Sequence, residues 1–108
     1  MSILTLQDVQ TTRETIKDIV KKTDLLESDK LSQKTGANVY YKCENLQKTG
    51  SFKVRGACNK IASLTEQEKA NGVIASSAGN HAQGVALGAK MSGIKATIVM
   101  PATAPLAK

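Results

Sequence analysis

One local plan occurs twice in this chain, and it limits the folds open to it. In Cys43-Glu44-Asn45-Leu46-Gln47-Lys48-Thr49-Gly50-Ser51-Phe52-Lys53-Val54-Arg55-Gly56-Ala57, an extended segment ends in a polar turn. A helix then starts at or near Ser51, with Lys53 in its first turn. Ser76-Ser77-Ala78-Gly79-Asn80-His81-Ala82-Gln83-Gly84 repeats the plan: a strand end, a loop of small polar residues and a helix start. A helix N-terminus carries unpaired backbone N–H groups and a partial positive charge, so two such starts can face one pocket.

The flanking sequence fits an α/β arrangement. Thr5 and Asp8 have capping-box spacing, and Val9, Ile16, Ile19 and Val20 share a helical face, which predicts a helix over about residues 6–21. Ser28 caps a short helix that stops before Gly36. Residues 38–43, with Val39, Tyr40 and Tyr41, read as a strand. Ser51 starts a helix running to about Leu64, with Val54, Ala57, Cys58, Ile61 and Leu64 as its buried stripe. Thr65 and Glu68 form a second capping box, and Asn71-Gly72 ends that short helix. A strand at 73–76, a helix at 80–92 ended by Gly93, and a strand at 94–100 closed by Pro101 complete the order. Strand, helix, strand, helix, strand predicts a parallel-sheet layer with flanking helices. The loop at 77–80 then falls at the carboxyl edge of the sheet, where such sheets bind ligands. Three strands are too few to cover both faces of a parallel sheet, and the end at Thr103-Ala104-Pro105-Leu106-Ala107-Lys108 follows a strand. Both are expected of a polypeptide truncated inside a domain.

Composition narrows the function classes. Two tyrosines and one phenylalanine among 108 residues predict an aliphatic, alanine-rich core. The net charge is +6, but the lysines are scattered and no stacking aromatics lie between them, so a nucleic-acid partner is not expected. No apolar run is long enough for a membrane helix, and Met1-Ser2-Ile3-Leu4-Thr5 lacks the pattern of a signal peptide. Cys43 and Cys58 are expected as reduced thiols in a cytoplasmic protein. With His81 they lack metal-ligand spacing, so no metal is expected.

Two features carry candidate chemistry. A lysine that forms a Schiff base must reach its neutral amine form, and burial together with a helix N-terminus favours that form. Lys53 is placed for this, and Arg55 would add to the effect if it points the same way. Equally, Lys53 fits a solvated position on an amphipathic helix. Residues 77–81 suit a carboxylate or phosphate, because small residues let backbone N–H groups approach an anion. They also suit an ordinary strand-to-helix turn with an Asn cap. The G-x-G-x-x-G spacing of dinucleotide sites is absent, and a single histidine, His81, more often caps or packs than catalyses.

The segment Lys48-Thr49-Gly50-Ser51-Phe52-Lys53-Val54-Arg55-Gly56-Ala57 resembles the cofactor-lysine segment of threonine dehydratases (threonine ammonia-lyases). These are fold-type II, tryptophan synthase β-like enzymes that use pyridoxal 5′-phosphate. Ser76 to Gly84 resembles their substrate loop, and Tyr41-Lys42-Cys43-Glu44-Asn45-Leu46-Gln47 resembles the strand entering the lysine segment. The resemblance runs from about Thr23 to the end and implies that residues 1–108 are the N-terminal portion of an incomplete catalytic domain. It implies that Lys53 bonds the cofactor and moves the substrate α-proton, that Phe52 packs beside the cofactor, and that Asn80 bonds its phenolic oxygen. Ser77, with the backbone N–H groups of Gly79, Asn80 and His81, would hold the substrate carboxylate. The cofactor-phosphate loop and the pyridine-nitrogen partner are expected beyond Lys108.

The implied reaction is deamination of L-threonine to 2-oxobutanoate and of L-serine to pyruvate, by a cytoplasmic homo-oligomer serving threonine catabolism or isoleucine biosynthesis. Cysteine-synthase-like relatives carry S-x-K-D-R, against Lys53-Val54-Arg55 here. Racemase-like relatives carry a serine immediately before Gly-Asn-His, against Ala78. A non-catalytic α/β fragment and, as a weaker rival, a basic nucleic-acid binder are the remaining alternatives.

Overall fold

The capping boxes set the helix starts. A computed structural model describes residues 3–106, so the expectations that touch Met1, Ser2, Ala107 and Lys108 lie outside the described residues. Helix α1 (Leu6–Ile16) opens with Thr5 Oγ1 accepting the Asp8 N–H at 3.2 Å, while the Asp8 carboxylate accepts the Thr5 N–H at 2.8 Å. The expected helix to residue 21 ends five residues early. The N–H groups of Ile19 and Val20 both donate to the Ile16 carbonyl, and the chain turns there. The cause is non-local: the buried Gln47 side chain takes the Lys21 N–H and donates to the Lys21 carbonyl, each at 2.8 Å, which a continuing helix would forbid. Ile16 is buried at 3% exposure, whereas Val9, expected on the same buried face, is 53% exposed.

Strand β1 (Leu25–Glu27) was not expected. It pairs antiparallel with β2 (Tyr40–Lys42), with Leu25 opposite Lys42 and Glu27 opposite Tyr40. Helix α2 (Asp29–Thr35) connects the two. Ser28 Oγ caps it from the Leu31 N–H, and Gly36 closes it in the left-handed region. The expected strand at 38–43 therefore exists, but in a separate ribbon rather than in the parallel sheet.

The parallel sheet consists of β3 (Val73–Ser76) and β4 (Ala96–Val99), in register from Val73–Ala96 to Ser76–Val99. Helices α3 (Lys53–Ala62) and α4 (Glu66–Asn71) precede it, and α5 (Asn80–Met91) is the crossover between its strands. The second capping box is formed by Thr65 and Glu68. Ile16, Val54 and Cys58 form the core, with Ile19, Val20 and Leu87 packed against it. Ala57, Ile61, Ala82, Val85 and Ala89 are also buried. The core is thus aliphatic and rich in alanine, as the composition implies.

Helices α3 and α5 pack through glycine. A Cβ at Gly84 would lie 3.1 Å from the carbonyl carbon of Lys53, and one at Gly88 would lie 2.9 Å from Ile61 Cδ1 and 3.3 Å from Cys58 Sγ. Moving from 84 to 88 along α5 moves from 53 toward 61 along α3. The two helices therefore run in the same direction, and both N-termini lie at one end, as the repeated plan requires.

Gly72 joins α4 to β3 with φ 81° and ψ −175°, a region that essentially only glycine occupies. A Cβ there would also lie 2.7 Å from the Lys95 carbonyl oxygen, which accepts the Val73 N–H that starts the strand pairing. Gly72→Ala in the complete protein is expected to cost about 2–3 kcal/mol, read as a lower urea midpoint. An unchanged midpoint would contradict this account of the junction.

Candidate active site

The turn before α3 aims its first residue. Glu44–Leu46 and Lys48–Gly50 are single 3₁₀ turns. Thr49 (φ 68°, ψ 5°) and Gly50 (φ 68°) are both left-handed, a conformation that costs a β-branched residue such as threonine. Ser51 returns to extended backbone, and its buried hydroxyl accepts the Lys53 N–H at 3.4 Å. Phe52 already has helical dihedrals, so the serine acts as the expected cap one residue outside the regular helix.

Lys53 is the first residue of α3. The expectation that it is buried is not met, since its side chain is exposed. Its ammonium lies 5.1 Å from the centroid of the Phe52 ring, a cation–π distance, and Phe52 itself is exposed.

Arg55 does not join Lys53. Its Nε donates to Glu44 Oε2 at 2.8 Å and its Nη2 to Glu44 Oε1 at 2.7 Å, with a further bond to the Lys21 carbonyl. The expectation that its charge adds to the field at Lys53 is corrected, because the guanidinium is neutralised in a two-pronged pair. Thr23 Oγ1 also donates to Glu44, at 2.5 Å. The Arg55 bonds hold the Glu44 carboxyl down to about 2, against an opposing push from burial. Glu44 in turn raises the Arg55 guanidinium. Burial pushes the Cys58 thiol up, which leaves it a packing residue.

In the second loop, Gly79 rather than an asparagine is the N-cap of α5, and the side chain of Ser77 two residues before it accepts N–H groups of the turn. Ser77 Oγ accepts the N–H groups of Gly79 and Ala82, both at 3.3 Å. The Gly79 N–H, expected to hold a ligand, is thus turned inward to Ser77. Both acceptor sites of the hydroxyl are engaged, which leaves its one O–H to donate. Asn80 starts α5 and is half-buried, and His81 follows it, exposed.

A cleft of about 550 Å³ opens between α3, β3 and α5. Phe52, Lys53 and His81 line it together with Ile61, Ile74 and Val85, so the structure brings three of the expected site residues to one space. Ser77, Gly79 and Asn80 stand outside this lining, at the N-terminal end of α5. The volume is that of a small-molecule site. An aliphatic floor, a phenyl ring and the amine of Lys53 at the α3 N-terminus suit a flat aromatic aldehyde such as pyridoxal; Lys60, two turns further along α3, also lines the cleft.

Reasoning from sequence assigned no role to Glu44, Gln47, Thr49 or Gly84. Thr49 Oγ1 is buried and lacks a hydrogen-bond partner among the described residues. The Thr49-Gly50 pair was the only sequence signal of a left-handed turn there.

Residues 16–108 match the family described as pyridoxal-phosphate dependent enzyme, and the chain belongs to that family. It is 58% identical over 98% of its length to the L-threonine ammonia-lyase of Thermotoga maritima, of which it covers 26%. Among solved structures it is similar to the T.th. threonine deaminase, with TM-score 0.78 and 44% identity over 92% of this chain and 34% of that one. It is also similar to the serine racemase of Dictyostelium discoideum, with TM-score 0.88 and 43% identity over 94% of this chain and 33% of that one. The chain spans about a quarter to a third of the length of these relatives. The fold is that of the N-terminal part of a fold-type II enzyme.

Glu44 sits below its ordinary value of 4.5, so its pairing stabilises the folded state above that value and is lost as pH falls toward about 2. Glu44→Gln is expected to lower stability near neutral pH by about 1–3 kcal/mol. The gap from wild type should close as pH falls from 4.5 to about 2. A gap independent of pH would contradict this role.

Proposed function

We propose that this chain is the N-terminal portion of the catalytic domain of a threonine ammonia-lyase, which deaminates L-threonine to 2-oxobutanoate and L-serine to pyruvate. The observation that carries the reading is Lys53, the first residue of α3, reaching a cleft that the N-terminal turn of α5 shares. The 58% identity to an enzyme named for this reaction supports the substrate. A cytoplasmic homo-oligomer in amino-acid metabolism, feeding isoleucine biosynthesis or threonine catabolism, belongs to the same reading.

Bound pyridoxal 5′-phosphate supplies an electron sink that lets the substrate Cα release its proton. The residues of this chain do the rest of the local work. The Lys53 amine would hold the cofactor and would accept the substrate Cα proton. Phe52 would pack beside the cofactor ring, and Asn80 would bond its phenolic oxygen. The Ser77 O–H and the N–H groups of Asn80 and His81 orient the substrate carboxylate. Loss of the β-hydroxyl as water leaves an enamine, which hydrolyses to the oxo acid and ammonia.

Ala78 favours elimination over the racemase alternative. Racemisation needs a second acid–base group on the substrate face opposite the lysine. In the loop of racemase-like relatives that group is a serine, and the Ala78 methyl cannot donate a proton.

The complete protein with cofactor is expected to release ammonia from L-threonine and to convert L-serine to pyruvate without comparable D-serine. Lys53→Ala and Lys53→Arg should abolish both reactions, since a guanidinium stays protonated. Turnover near wild type in either variant would remove Lys53 from its role, and D-serine formed as fast as pyruvate would favour the racemase reading.

A further inference from the structure

Gly84 lies outside the cleft, yet it touches the backbone that carries its amine. A Cβ at position 84 would stand 3.1 Å from both the carbonyl carbon and the carbonyl oxygen of Lys53, and 3.2 Å from the Val54 nitrogen. All three atoms belong to the peptide between Lys53 and Val54. No flexible side-chain end is available to swing away. Val54 is fully buried and Ala82 and Val85 beside Gly84 are buried, so neither helix is free to retreat.

We infer that Gly84 is a positioning residue: by lacking a Cβ it lets α5 seat directly against the Lys53–Val54 peptide and so fixes where the Lys53 amine enters the cleft. The inference rests on the role proposed for Lys53. Gly84 is one turn into α5 from Asn80, so the same contact sets the separation between Lys53 and the Ser77–His81 turn. A methyl group at 84 pushes the first turn of α3 and the first turn of α5 apart by a few tenths of an ångström. Gly88 provides the internal comparison. Its missing Cβ faces Ile61 Cδ1 and Cys58 Sγ, side-chain atoms on the second and third turns of α3, away from Lys53.

The experiment compares Gly84→Ala, Gly88→Ala and Lys53→Ala in the complete protein loaded with pyridoxal 5′-phosphate. Four readouts are needed: kcat and KM for L-threonine, visible absorbance of the lysine-bound cofactor, melting temperature without cofactor, and a crystal structure of Gly84→Ala. Small misplacements of a reacting group are costly, so Gly84→Ala is expected to lower kcat about tenfold or more. It should do so with little change in KM, and it should reduce the absorbance of the lysine-bound cofactor. Its melting temperature should fall no further than that of Gly88→Ala, because each adds one methyl group to the same packed seam between α3 and α5. The Lys53 backbone should be displaced in its crystal structure. Gly88→Ala should change melting temperature while leaving kcat and absorbance near wild type.

Wild-type kcat and absorbance in Gly84→Ala, with Lys53→Ala inactive, would overturn this inference and leave the proposed function standing. An active Lys53→Ala would overturn the proposed function and this inference with it. A Gly84→Ala protein that does not fold, or a Gly88→Ala protein that loses kcat equally, would show the contact to be structural only and would also overturn the inference.

Discussion

The contact between Gly84 and the Lys53–Val54 peptide is the constraint on which the site depends. Parallel helices with side chains at the crossing keep their backbones well apart. Glycine at 84 and 88 lets α5 close onto α3. Because the helices run in the same direction, two partial positive charges stand at one mouth. Like charges held side by side repel, so the arrangement favours a site where negative groups of a ligand are held.

A second set of bonds fixes α3 from its other side. The Gln47 amide grips the Lys21 backbone, and Glu44 gathers Arg55 and Thr23. These polar residues sit in the turn just before Lys53. They tie it to the segment after α1 and use the one arginine near the lysine as a strut. Thr49, held left-handed with its hydroxyl buried, lies at the centre of the same turn. The lysine is thereby placed by rigid neighbours on both sides while its own side chain stays exposed to the cleft.

What was legible in the sequence was local chemistry. Ser28 with Gly36, Thr65 with Glu68, and Gly72 mark helix ends because caps and left-handed glycines act within a few residues of themselves. The strand at 73–76 and the start of α5 follow from the same kind of signal. What escaped was decided at a distance. Helix α1 stops at Ile16, and Gln47, 26 residues beyond Lys21, holds the Lys21 backbone out of any continuation. Strand β1 exists only through its pairing with β2, and Leu25-Leu26-Glu27 shows no alternation of its own. Arg55 turns away from Lys53 because Glu44, eleven residues earlier, holds it. The candidate site was legible as far as Lys53 and the small-residue loop. The inward turn of the Gly79 N–H and the seat at Gly84 were not, since both depend on how one helix meets another.

The most direct test of the account is to trap the cofactor on its lysine. Borohydride reduction of the complete, cofactor-loaded protein, followed by peptide mapping, reads out which lysine carries it. The account predicts a single pyridoxyl group on Lys53. A pyridoxyl group on any other lysine, with Lys53 unmodified, would contradict it.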